Sequence, residues 1–166
     1  VNYAKALADL IIEQQVSFKA AITIKKRFSN LISNLSNNEI LELKLEKLQS
    51  VGISYRKAEY IRNVYMYFQE SKYDFNSSSN EDVISELISI KGIGLWSAQM
   101  FLIFVLMRID IFSPGDLALM NSLKINYKID ITNKKTVESL VENWSPYKSV
   151  ASLLLWKSIE EKYFYS

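Results

Sequence analysis

The chain contains neither histidine nor cysteine, so acid–base or nucleophilic chemistry must rest on Asp, Glu, Lys or Tyr. One carboxylate stands in a position suited to such work. Asp116 follows a turn formed by Pro114 and Gly115 and stands twenty residues after Trp96. At the edge of a cleft, this carboxylate can stabilise a positive charge that develops in a transition state. The residue types alone favour a simpler role, in which Asp116 caps a helix that begins at Leu117.

A second candidate feature is the turn Lys91–Gly94, of sequence Lys-Gly-Ile-Gly, which joins two apolar segments. Glycines let the backbone approach a bulky anion, and the following helix begins with amide donors and the positive end of its dipole. That combination suits one DNA phosphate. Carbonyl groups on the other side of the turn can hold a monovalent cation. Taken alone, the Gly-x-Gly pattern is explained as well by an ordinary helix corner with a glycine C-cap.

Helical periodicity dominates the first half of the chain. Apolar residues recur every three or four positions from Ala4 to Ile11, which indicates an opening helix. Ser17 and Ser54 are predicted N-caps of two longer helices. The expected inward residues of these two helices are Ala20, Ala21, Ile24, Phe28 and Leu31 in one, and Ala58, Ile61, Val64, Tyr65 and Phe68 in the other. One short helix is expected over 39–48, and the polar stretch 76–80 is expected to form a loop.

The second half contains the elements that position the two candidate turns. A short amphipathic helix with Val83, Ile84, Leu87 and Ile88 inward should precede the turn Lys91–Gly94. A helix over 95–107 should follow it, buried on nearly every side. Thr132 or Asn133 is expected to cap another short helix that ends near Val141. Ser145-Pro146 has the cap and first-turn signature of a last helix that buries Val150, Leu153, Leu154 and Trp156. No segment shows strand alternation.

Composition limits the class of protein. Hydrophobic residues make up 49% of the chain, which is enough to pack a core. The net charge is only +2, which does not by itself indicate nucleic-acid binding. Without cysteine, iron–sulfur clusters and cysteine-ligated zinc are excluded. The longest apolar run, 100–107, is too short to span a bilayer. We therefore expect a monomeric intracellular protein of the cytoplasm or nucleoid, all-α with eight to ten short helices.

Four segments, taken in order, resemble the helix-hairpin-helix glycosylases of the 3-methyladenine DNA glycosylase II branch. The segments are 12–21 with Glu-Gln-Gln-Val-Ser, 52–58 with Gly-Ile-Ser, the hairpin with its aspartate turn, and 144–156 with Trp-Ser-Pro-Tyr. The spacing between hairpin and aspartate is the specific part of the match. The resemblance implies one HhH-GPD domain over 1–166, with a helix-hairpin-helix at about 80–107. It implies a two-lobed all-α fold with a cleft between the lobes and no N-terminal β domain.

The resemblance also implies roles for individual residues. Asp116 matches the family's catalytic aspartate, and Gln15 matches the residue that fills the gap left by a flipped nucleotide. Backbone amides of the hairpin would meet a DNA phosphate. The residues implied in base or substrate contact are Trp96, Tyr147, Met100 and Leu117; those in DNA binding are Gln15, Lys91, Gly92, Ile93, Gly94 and Trp96; those whose carbonyls would hold a structural Na⁺ or K⁺ are Ile88, Ile90 and Ile93.

The activity that the resemblance implies is hydrolysis of the N-glycosidic bond of alkylated purines in double-stranded DNA, with no cofactor needed for catalysis. Members that also cut the strand carry a lysine where this chain has Trp96, so strand cutting is not expected. Met100 and Leu117 replace residues that are aromatic in some relatives, which leaves the range of lesions open. Three alternatives also stay open: a glycosylase for deaminated or oxidised bases, a non-catalytic DNA-binding hairpin module, and a helical scaffold for protein partners.

Overall fold

The structure is a computed structural model that describes the backbone of residues 2–164 and the side chains of residues 2–159. Within that range it has ten α-helices and no strand, which confirms the all-α prediction. The helices are α1 Tyr3–Glu13, α2 Phe18–Ile32, α3 Asn37–Glu42, α4 Leu45–Gln49, α5 Tyr55–Glu70, α6 Asn80–Ser89, α7 Leu95–Phe104, α8 Leu117–Tyr127, α9 Lys134–Glu142 and α10 Lys148–Phe164. None of the described helices is both long and apolar enough to cross a membrane.

The chain forms two compact units, Val1–Phe101 and Leu102–Ser166. In the first unit, α1 packs on α5, and the expected apolar faces of both helices are buried, except that Phe68 is partly exposed. Ser17 and Ser54 accept hydrogen bonds from the third backbone amides of α2 and α5, so both predicted N-caps are confirmed. Four aromatic side chains of this unit contact one another, namely Tyr3, Phe68, Phe75 and Phe101.

In the second unit, α8 packs on α10. The buried residues of its core are Leu119, Leu123, Val137, Val141 and Leu155. Asn133 caps α9, as one of the two predicted candidates, and Asp116 caps α8. The helix that Asp116 caps begins at Leu117, where the sequence placed it.

Two helices differ in extent from the expectation. The single helix expected over 39–48 is two, α3 and α4, because the backbone is extended at Leu43 and Lys44. Arg62 donates to the Leu43 carbonyl at 2.6 Å and fastens that break. The buried helix α7 ends at Phe104, not Met107, since Met107 is left-handed with φ of 55° and the Arg108 amide folds back to the Leu102 carbonyl.

Two predicted inward faces are wrong in part or in whole. On α6, Val83 and Leu87 are fully buried as expected, but Ile88 is 44% exposed. On α10, the exposed residues are Val150, Leu153 and Leu154, and the buried ones are Ser149, Ser152 and Leu155.

The start of α10 explains its rotated face. Ser145-Pro146 is not its cap, because the helix begins at Lys148 and the Ser145 hydroxyl donates to Asp110. The Ser149 hydroxyl donates to the Arg108 carbonyl at 2.7 Å and accepts from the Ile111 amide at 2.9 Å. These bonds turn the serine side of α10 inward, so that an apolar count of the sequence selects the opposite side.

Candidate functional site

The turn Lys91–Gly94 joins α6 to α7 as expected, and its first glycine is required by the fold. Gly92 has φ of 108°, a conformation that side chains rarely adopt. A Cβ added there would lie 2.3 Å from Cγ of Tyr60 on α5. Gly92 is therefore explained by the packing of the hairpin on α5, whatever the turn binds.

Gly94 has no such explanation. Its backbone is outside the left-handed region, and a Cβ would meet no heavy atom of the described structure within 4 Å beyond its own chain neighbours and helix. The Ala98 amide donates to the Gly94 carbonyl at 3.0 Å, so α7 begins here. The fold would accept a side chain at Gly94, and the open space lies at the positive end of the α7 dipole. A glycine at this place suits the approach of a bulky anion.

The side chains of Gln14, the C-cap of α1, and of Asn63 on α5 hold this turn. The side-chain amide of Gln14 donates to the Gly92 carbonyl at 3.2 Å and to the Ser97 hydroxyl at 3.0 Å. The side-chain amide of Asn63 donates to the Lys91 carbonyl at 3.2 Å. Sequence reasoning missed these supports, because residues separated by 28 to 83 positions leave no local pattern.

Asp116 lies in the second unit, where two donors share one of its oxygens. Oδ1 accepts the Leu119 amide at 2.7 Å and the Trp156 indole N–H at 3.1 Å. Its own amide donates to the carbonyl of the fully buried Ser113 at 3.1 Å. The simpler role as an N-cap is thus observed. The indole bond is an addition that a cap does not need, and together the contacts fix the direction of the carboxylate.

Trp156 is another functional candidate that the sequence reading missed. It was expected only as an apolar residue of α10, yet its ring is half-buried, stacks near Phe104 with centroids 5.5 Å apart, and donates to Asp116. Its position within the matched C-terminal segment was the one available signal. An indole N–H in a core needs an acceptor, and the sequence does not say that Asp116 supplies it.

The remaining predicted residues divide between the two units. Trp96 is half-buried in the first turn of α7, and Met100, one turn later, is 3% exposed. Gln15 is exposed directly after the C-cap of α1. In the second unit, Leu117 is 87% and Tyr147 60% exposed. Met100 is therefore buried, whereas Leu117 and Tyr147 are accessible to a ligand.

No group of three or more Asp or Glu side chains among the described residues can hold a metal ion. A cation at the hairpin would depend on backbone carbonyls, as the resemblance implies. The Ile90 carbonyl accepts the Ile93 amide at 3.0 Å, which leaves its second lone pair for another partner.

Comparison with known proteins decides the family. The family model for HhH-GPD superfamily base excision DNA repair proteins matches residues 8–146, which include both candidate turns. The chain belongs to the HhH-GPD superfamily. The fold described above is the fold of that superfamily, and the matched range includes the turn Lys91–Gly94.

Relatives with curated names and solved structures agree with this assignment. A DNA-3-methyladenine glycosylase of Saccharomyces cerevisiae is 32% identical over 94% of this chain and 66% of its own length. The Bacillus halodurans DNA-3-methyladenine glycosidase structure is 36% identical, with a TM-score of 0.78 over 93% of this chain and 74% of that one. The Schizosaccharomyces pombe 3-methyladenine DNA glycosylase, solved with abasic DNA, is 30% identical, with a TM-score of 0.87 over 95% and 80%.

This HhH-GPD chain is shorter than the curated relatives that it matches. It spans 56% of a Bacillus subtilis relative and 66% of the Saccharomyces cerevisiae protein.

Proposed function

We propose that the chain is a monofunctional DNA glycosylase that excises alkylated purines, of the 3-methyladenine type, in base excision repair inside the cell. The observation that carries the proposal is the carboxylate of Asp116, directed by the Leu119 amide and the Trp156 indole. The names of the yeast and bacterial relatives support the substrate class. We further propose that residues 1–166 act as one monomeric domain on double-stranded DNA.

The chemistry needs little from the protein beyond a directed charge. An N-alkylated purine is cationic and leaves readily, so its departure needs little acid catalysis. When the glycosidic C–N bond breaks, the electron pair leaves with the base and positive charge develops on the sugar. The Asp116 carboxylate stabilises that charge. Water then adds its oxygen to the anomeric carbon and loses a proton, which completes hydrolysis without histidine, cysteine or a catalytic metal.

The base must leave the duplex before it can react, and a damaged pair opens at lower cost. Trp96 and Tyr147 supply aromatic faces on which an electron-poor methylated base can stack. We place the buried Met100, one turn after Trp96 on α7, behind the indole ring of Trp96. The exposed Leu117 adds an apolar contact beside Asp116. Because Trp96 occupies the place of the lysine found in strand-cutting relatives, the DNA strand stays intact until alkali or a further enzyme acts on it.

The hairpin binds the DNA backbone, and Gln15 inserts into the base stack. The turn Lys91–Gly94 offers backbone amides and the α7 dipole to one phosphate, and Lys91 adds an exposed cation. A structural Na⁺ or K⁺ held by the carbonyls of Ile88, Ile90 and Ile93 adds positive charge on the other side of the turn. Gln15 fills the gap in the base stack.

Replacing Gly94 by valine should weaken binding to damaged and undamaged duplex alike, because the side chain fills the space that the phosphate needs. The fold has room for the side chain, so the melting temperature should stay within a few degrees. Fluorescence anisotropy with both duplexes, beside thermal melts, measures this. Gly92→Val is the matched comparison: it clashes with Tyr60 and should lose stability. A folded Gly94→Val variant with unchanged affinity would exclude the hairpin as the anchor.

The dependence of affinity on salt should be shallow. Net charge is only +2 and the hairpin contributes mostly backbone amides, so few phosphates are neutralised by lysine or arginine. Neutralising about three phosphates gives a slope of log K against log salt of about −3. Titrations between low and moderate salt with undamaged duplex measure it. A slope steeper than about −6 would contradict the expectation that lysine and arginine side chains neutralise only a few phosphates.

The proposed activity is tested on a duplex that contains one methylated purine. The protein is incubated with the duplex, which is then treated with alkali and examined for strand scission at the lesion. Parallel duplexes carry one deaminated or one oxidised base. Scission at the methylated purine supports the proposal, scission only at the others assigns a different lesion class, and tight binding without scission identifies a non-catalytic hairpin module.

A further inference from the structure

The end of α1 is tied to the hairpin by hydrogen bonds that lie wholly within the first unit. The Gln14 amide donates to the Gly92 carbonyl at 3.2 Å and to the Ser97 hydroxyl at 3.0 Å. The Lys57 ammonium donates to the carbonyls of Ile12 at 2.9 Å and Gln14 at 2.5 Å. The Gln14 side chain thus joins the end of α1 to a turn about eighty residues away in the chain, and the Lys57 side chain joins the same end of α1 to α5.

This network adjoins a residue in an uncommon backbone conformation. Gln15 directly follows Gln14, the C-cap of α1, and has φ of 55°. A side-chain-bearing residue stays in the left-handed region only where its surroundings hold it there. Lys57 places a cation at the carbonyl end of α1, which satisfies carbonyls that the helix leaves without intrahelical partners. The carbonyl of the peptide that leads into Gln15 is therefore held by Lys57, and the side chain of Gln14 is held by the hairpin.

We propose that Gln14 and Lys57 are positioning residues that hold Gln15 at a fixed distance and direction from the turn Lys91–Gly94. The inference rests on the proposed function, in which that turn grips a phosphate and Gln15 enters the base stack. When the hairpin binds a phosphate, the side chain of Gln15 is then already positioned beside the base stack. The α1–α2 loop therefore need not become ordered when the base leaves the stack.

Lys57 is the residue most easily mistaken for a phosphate ligand. Its ammonium is half-buried, burial lowers its pKa, and both of its hydrogen bonds go to backbone carbonyls. A phosphate ligand would contribute to the salt dependence of binding, and its loss would reduce the slope by about one. A positioning residue leaves that slope unchanged.

The experiment uses the full chain with Gln14→Leu, Lys57→Met and Lys57→Arg. Two readouts are excision from a methylated duplex and the fluorescence of 2-aminopurine beside an abasic-site analogue, which reports entry of a side chain into the stack. Gln14→Leu and Lys57→Met should each lower the excision rate and the protein-induced change in 2-aminopurine fluorescence by about tenfold. The affinity for undamaged duplex and the salt dependence of that affinity should stay nearly unchanged. Lys57→Arg should recover most of the loss, because a guanidinium also donates to two carbonyls.

Matched controls lie at the C-terminal end of α5 and two residues beyond it. Gln69→Leu removes an exposed amide that bonds Asn38, and Lys72→Met removes an exposed cation; both should behave as wild type. The double variant Gln14→Leu/Gln15→Ala should be no worse than Gln15→Ala alone, because Gln14 acts through Gln15.

Three outcomes overturn the inference. They are additive losses in the double variant, wild-type excision in both Gln14→Leu and Lys57→Met, and a fall in melting temperature that matches the loss of every activity. If the wild-type chain neither excises the base nor changes the 2-aminopurine signal, the proposed function fails first. If the wild type does both and the variants do the same, only the inference fails.

Discussion

Asp116→Asn should abolish base excision while the protein remains folded and bound to DNA. Asparagine keeps an oxygen that accepts from the Leu119 amide and the Trp156 indole, so the cap of α8 survives. What disappears is the negative charge that, in the proposed mechanism, stabilises the sugar cation. Losing it should raise the barrier by several kcal/mol and slow the chemical step by about a hundredfold or more.

Single-turnover excision rates, duplex affinity and melting temperature measured on the same preparations check this expectation. Asp130→Asn is the matched control, because Asp130 is an exposed carboxylate of the second unit that accepts hydrogen bonds from the amide and hydroxyl of Thr132. It should excise as the wild type does. Near-wild-type turnover in Asp116→Asn would mean that Asp116 is an N-cap and nothing more.

Trp96→Ala should reduce excision of methylated purines by roughly tenfold to a hundredfold, the value of stacking one base on an aromatic ring. Binding of undamaged duplex should change little. Trp96 is half-buried at the start of α7, so truncation removes an accessible face rather than a core side chain. Trp96→Phe should recover part of the rate. Trp96→Lys should not cut the strand without further changes around it.

The comparison that decides the role of Trp96 is Phe101→Ala, which empties a fully buried position on the same helix. That variant should lose about 3–5 kcal/mol of stability and all activities together. Melting temperature, excision rate and duplex affinity are measured on both. If Trp96→Ala follows Phe101→Ala, with stability and every activity falling in parallel, then Trp96 is a core residue.

Much of the fold was accessible from the sequence, because local physics sets it. Serines before α2 and α5 and the spacing of buried residues from Ala4 to Ile11 gave helix starts and faces that the structure confirms. The errors arise where distant residues decide. The inward face of α10 is set by bonds from Ser149 to the segment before α8, and the break between α3 and α4 is fastened by Arg62.

The candidate site divides in the same way. Residue types and turns placed Asp116 and Gly94 correctly at the start of α8 and α7, and their roles stay predictions. Gln14, Lys57 and Trp156 were missed as site residues, because their partners lie 40 to 83 positions away along the chain. Hydrogen bonds between residues so far apart produce no local pattern in a single sequence.

Release of the free base from methylated DNA tests the central claim most directly. Duplex DNA treated with a methylating agent is incubated with the protein, and the soluble fraction is chromatographed for methylated purines. We expect free 3-methyladenine with wild-type protein, an intact strand until alkali is added, and no release above the buffer control with Asp116→Asn. No base freed by the folded, DNA-bound wild-type protein, or equal release by Asp116→Asn, would contradict this expectation.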